Sequence, residues 1–102
     1  MEQNQQIAPQ NAQQLQIKVN DSDLKGVYSN LMQIVHTKEE FVFDFFLNAP
    51  PQGLLVSRAI VTPAHAKRIA IALAENIKRY EEKFGAIKEG ESPEGKIGFV
   101  KE

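Results

Sequence analysis

The chain has no cysteine and no tryptophan, and neither sign of charge predominates. Each shortage removes a class of function. Without cysteine there is no disulfide framework, no thiolate metal site and no cysteine nucleophile. Twelve basic and thirteen acidic residues nearly cancel, so no global field draws the chain to nucleic acid or to an anionic membrane. No apolar run approaches the length needed to span a bilayer. The first residues, Met1-Glu2-Gln3-Asn4-Gln5-Gln6, lack the basic-then-apolar order of a secretory leader. The expectation from these shortages is a cytoplasmic protein with no membrane contact. At 102 residues it is one domain, and its hydrophobic fraction of 42% is ordinary for a globular fold.

The chain divides by composition. Residues 1–14 are rich in glutamine and asparagine and hold too little apolar surface to offset the entropy of ordering, which predicts a disordered arm. Residues 15–87 carry periodic apolar patterns and form the single domain. Residues 88–102 read as a flexible tail, polar and glycine-containing up to Lys96, then ending in a small apolar island, Ile97, Phe99 and Val100, which suits a short docking motif or an added edge strand.

Within the domain, Leu15, Ile17 and Val19 alternate with polar residues, the period of a first strand, and Asn20-Asp21-Ser22-Asp23 is turn chemistry. Residues 26–36, 41–48 and 54–61 read as three more strands. Pro50 and Pro51 cannot continue a ladder, so residues 49–53 are expected to form the loop of a hairpin. Thr62 is a good N-cap and Pro63 suits a first helical position. Apolar residues then recur at Ala66, Ile69, Ala70, Leu73, Ile77, Tyr80 and Phe84, and Gly85 is a stop signal. The expected fold is α+β: a four-stranded antiparallel sheet, mainly a meander, followed by one long C-terminal helix packed on one sheet face, with flexible polar tails.

The hairpin is apolar on both faces, and one helix covers only one. A regular five-residue loop pairs Asn48 with Leu54, Phe46 with Val56, Asp44 with Arg58 and Val42 with Ile60. The face holding Phe43 and Phe45 is expected to lie under Ile69, Leu73, Ile77 and Tyr80 as the monomer core. The opposite face, Val42, Asp44, Phe46, Val56, Arg58 and Ile60, is then left as an interface, most simply with a second copy in a two-fold dimer. Asp44 and Arg58 fit a cross-strand ion pair inside that contact better than a substrate anchor, since no nucleophile or base lies beside them.

Other groups carry less. Asp21, Asp23 and Gly26 faintly outline a calcium loop, but Lys25 and Met32 stand where ligands are required. His36 and His65 have no carboxylate at metal-ligand spacing on a common element, so neither a metal nor another cofactor is expected. No phosphate loop or nucleophile elbow is present, and an enzyme is not expected. The outer helix face mixes charges, and Ile71 stands there between Lys67 and Lys78 as a small patch for a partner. Direct nucleic-acid binding through it is disfavoured by the near-neutral charge.

Glu40-Phe41-Val42-Phe43-Asp44-Phe45, then Ser57-Arg58 with Thr62-Pro63, His65, Lys67-Arg68, and finally Tyr80-Glu81 with Phe84-Gly85, together resemble a small prokaryotic family known as domain of unknown function 3467. The resemblance spans residues 15–87. It implies no activity, but some bacterial members are encoded beside the large RNA polymerase subunit genes, which implies a transcription-related partner. The strands-then-helix order is also similar to the SecB-like export chaperones, which implies binding of unfolded or secretory chains. The function expected is therefore a non-enzymatic, partner-binding accessory protein, a homodimer in a larger assembly such as RNA polymerase, with a small chaperone or adaptor as the alternative.

Overall fold

A computed structural model describes residues 14–90 and 98–101. The body is three antiparallel strands in chain order, preceded by one helical turn and followed by one long helix. The turn is α1 (Asp21–Lys25), the strands are β1 (Leu31–His36), β2 (Phe41–Ala49) and β3 (Gln52–Val61), and the helix is α2 (Pro63–Phe84). The fold is α+β, as expected, with three strands rather than four. The expected arm lies almost wholly outside the described residues, as does Ile97 of the tail.

The missing strand has a local cause. Asn20 to Asp23 closes a helical turn, with the amides of Asp23 and Leu24 both donating to the Asn20 carbonyl at 3.0 and 3.2 Å. Gly26, at φ 73°, then takes a left-handed conformation that glycine adopts without steric cost. The chain leaving this turn does not return beside residues 15–19, so that segment has no ladder. Leu15 and Ile17 stay 80% and 75% exposed. Period 2 shows that a segment suits a strand; a strand also needs a neighbour.

The start of β1 is set by side chains. Asn30 donates from Nδ2 to the Asn48 carbonyl at 3.1 Å and accepts the Asn48 amide on Oδ1 at 2.7 Å. Its carboxamide thus takes the place of a backbone ladder pair, and the strand expected from residue 26 begins at Leu31. Thr37 turns the chain into β2, its hydroxyl accepting the amides of Glu39 and Glu40 at 3.1 and 3.3 Å.

The β2–β3 hairpin corrects the expected loop. Its turn is only Pro50-Pro51, joined by a cis peptide bond, and Ala49 pairs with Gln52. A bulge absorbs the difference: Phe45 pairs with Ser57 but Phe46 pairs with Leu55, which leaves Val56 as the extra residue. Asn48 therefore faces Gly53, not Leu54. Above the bulge the register is the expected one, with Asp44 opposite Arg58 and Val42 opposite Ile60.

The helix is capped at both ends. The Thr62 hydroxyl accepts the His65 amide at 3.1 Å, and the amide of Gly85, at φ 97°, returns to the Glu81 carbonyl at 2.9 Å. Its placement overturns the expected core. α2 does not lie along the sheet: among the described residues, the extensive contacts between elements are those of β1 with β2 and of β2 with β3. Ala66 is buried and Ile69 half-buried, but Leu73 and Tyr80 are 58% and 50% exposed. A single capped residue, Thr62, joins β3 to α2. Phe46 and Ala66 are the buried hydrophobic residues of the described chain.

Candidate functional site

Strand alternation and the bulged register sort the sheet into two faces. One face centres on Asp44. Arg58, directly across the β2–β3 ladder, donates from Nε to Asp44 Oδ1 at 2.6 Å and from Nη2 to Oδ2 at 2.8 Å. This fork is the bidentate geometry that makes arginine–carboxylate pairs short and specific. The Asp44 side chain is 3% exposed while that of Arg58 is 47% exposed, so the pair has a sealed anion and an open cation. The hydrogen bonds from Arg58 hold the Asp44 carboxyl below its usual value, against a smaller opposing push from burial, and the carboxylate in turn holds Arg58 above its own.

The tail reaches the same place. The Phe99 ring lies 5.9 Å from the Phe46 ring, and the Arg58 guanidinium stands 5.9 Å from the centre of Phe99. Phe46 is 6% exposed under this cover. Of the six residues expected to form an interface, Val42, Asp44, Phe46, Arg58 and Ile60 share one face by register, while Val56 is the extra residue of the bulge and Leu55 stands opposite Phe46 in its place. Asp44 and Phe46 are closed over by groups of the same chain. Val42 and Val56 are half-buried, and Ile60 remains 59% exposed. Val100, also expected in a docking motif, is 88% exposed.

The other face is the larger apolar surface. Met32 and Ile34 of β1 are 40% and 50% exposed, and Leu54 of β3 is 53% exposed. Phe41, Phe43, Phe45 and Leu47 of β2 are half-buried between them. His36 stacks on Phe41 at the rim, with centroids 5.1 Å apart. Among the described residues, the α2 stripe is buried at Ala66 and half-buried at Ile69, and from Leu73 onward it is exposed and leaves this face open. The exposed stripe of α2 continues its apolar character, ending in Tyr80 and Phe84, whose rings are 4.9 Å apart.

Lys67, Ile71 and Lys78 fall on one side of α2, all exposed, with Ile71 at 53%. Among the described residues, no group of three or more histidine and acidic side chains is close enough to hold a metal, and no helix is long and apolar enough to cross a membrane. Sequence reasoning missed that the helix stripe stays open. It also missed that Phe99 settles on Phe46, although the isolated apolar island at the end of the chain was a signal for some docking event.

The pattern of the family described as "Protein of unknown function (DUF3467)" matches residues 1–89. The chain belongs to this family. The match includes the strand hairpin with its Asp44–Arg58 fork and the whole of α2, so in this family member the fork and the open helix stripe are parts of the matched region and Phe99 lies beyond it. No curated protein and no solved structure matches the chain.

Proposed function

We propose that this protein is a non-catalytic, protein-binding accessory subunit that works in the cytoplasm as a homodimer. One observation carries the reading: among its described residues the chain buries only the hydrophobic side chains Phe46 and Ala66, and it leaves a sheet face and a helix stripe in water. Exposed apolar surface on that scale marks a protein interaction site, and a body this thin has little to hold it together alone.

Two surfaces are on offer, and they differ in kind. The Phe43/Phe45 face and the α2 stripe are mainly apolar, with Ser57 and His36 as the polar side chains on the sheet side, as in interfaces that form with folding. The Asp44/Arg58 face is mixed, half-covered by a tail ring, and rimmed by Val42 and Ile60. Such a face suits a second, exchangeable protein partner, which takes the place of Phe99 against Phe46 and uses the open side of the Arg58 guanidinium. RNA polymerase is the first assembly to examine, given the implied gene neighbourhood.

The test is purification of a tagged chain from its own cells beside an Ile60→Asp variant. The reading expects one stoichiometric complex with the parent chain, lost with Ile60→Asp while the dimer persists. A spread of unfolded client chains, together with suppression of aggregation of a chemically unfolded protein, would replace the accessory reading with a chaperone.

A further inference from the structure

The apolar surface left open on the sheet and the apolar surface left open on the helix belong to one chain, yet they do not meet within it. We infer that they meet between two copies: α2 of each copy lies across the Phe43/Phe45 face of the other. The inference deepens the homodimer reading above and rests on it.

Three features select this occupant. The first is fit. α2 has 22 residues, about 33 Å at 1.5 Å each, and β2, at nine residues, is about 30 Å long. A helix of this length covers the sheet from end to end. The second is the junction. Thr62 caps the helix one residue after the strand ends, and the apolar stripe is buried at Ala66 but exposed from Leu73 to Phe84. The stripe is therefore anchored at one end on its own chain and open along the rest, the geometry of an exchanged arm. The third is area. With about 150–250 Å² on each large side chain, Leu73, Ile77, Tyr80 and Phe84, at 58%, 39%, 50% and 66% exposure, leave roughly 400 Å² of stripe in water. On the sheet face Met32, Ile34 and Leu54, at 40%, 50% and 53% exposure, together with the half-buried Phe41, Phe43, Phe45 and Leu47, leave roughly 300–400 Å². Two symmetric helix-on-sheet contacts would bury on the order of 1,600 Å², the size of a stable specific interface.

The chain's lack of cysteine makes the test direct. Ser57→Cys places a thiol on the sheet face and Ala70→Cys places one beside the helix stripe. The two single variants, distinguished by tags of different size, are unfolded together, refolded, and treated with a short thiol-reactive cross-linker. Helix exchange predicts a covalent heterodimer carrying both tags, and a covalent dimer rather than an internal loop when both substitutions sit on one chain. Met32→Cys with Ile77→Cys repeats the measurement at a second point if the first pair disturbs folding. An internal link overturns the inference, because the helix then lies on its own sheet. Links only between two Ala70→Cys positions mean helix-to-helix pairing, and links only between two Ser57→Cys positions mean sheet-to-sheet pairing; each overturns helix exchange and leaves the homodimer standing. A monomer in sedimentation removes both.

Discussion

Leu73→Ala separates the two environments open to α2. In an isolated chain this leucine is 58% exposed. Truncating it then deletes a few methyl and methylene groups already more than half in water, at a cost of about 1 kcal/mol or less, and opens no cavity. Seated on a partner's sheet, the same side chain is enclosed, and its truncation costs about 2–5 kcal/mol per chain, including the void left behind. The assay is urea unfolding followed by circular dichroism at several protein concentrations. For a dimer whose folding and association are one step, tenfold dilution lowers stability by about 1.4 kcal/mol. With a slope of about 2–3 kcal/mol per molar urea, the midpoint falls by roughly 0.5 M. The parent chain should show that dilution shift, and Leu73→Ala should show it from a lower midpoint. A loss under about 1 kcal/mol, with midpoints independent of concentration, would refute the reasoning.

Two further expectations concern the sheet and the helix start. Asp44 titrates below its unfolded value, so its contribution is full above the ordinary carboxylate range and is lost as pH falls through the lower, folded value. Asp44→Asn should therefore flatten the steepest part of the acid limb of unfolding midpoints measured from pH 7 to pH 2.5; superimposable limbs would show that the fork contributes nothing to folding. Thr62→Ala should cost about 1 kcal/mol through the lost cap to the His65 amide, with most of it restored by Thr62→Ser; an unchanged midpoint would mean that the cap is idle.

Much of the fold was legible because its signals are local. Thr62, Pro63 and Gly85 mark the ends of α2 by capping chemistry that depends on a few neighbours. The two prolines mark the hairpin turn, and the placement of Asp44 opposite Arg58 follows from counting outward from it. That count survived for a different reason than expected. The turn is three residues shorter than the loop assumed, but pairing Ala49 with Gln52 displaces the register by only one residue, and the bulge at Val56 restores it before Asp44 is reached. A bulge has no reliable signature in composition, so neither correction could be read in advance.

The failures share one cause. Leu15–Val19 has strand periodicity, and α2 has a continuous stripe, but periodicity states only which surface wants cover. It does not say which element supplies it, or whether that element lies in the same chain. The monomer core assigned to Phe43, Phe45, Leu73 and Ile77 does not form within one copy, where Leu73 and Ile77 are 58% and 39% exposed. The tail shows the converse: Phe99 covers Phe46 from within the chain, on a face that pattern alone assigned to a partner.

The central claim is that this chain completes its fold with a second copy. Sedimentation equilibrium at micromolar concentration tests it most directly. The account predicts a single species of twice the 11.5 kDa chain mass, dissociating only as it unfolds. A folded, cooperatively unfolding monomer of 11.5 kDa at every concentration would contradict it.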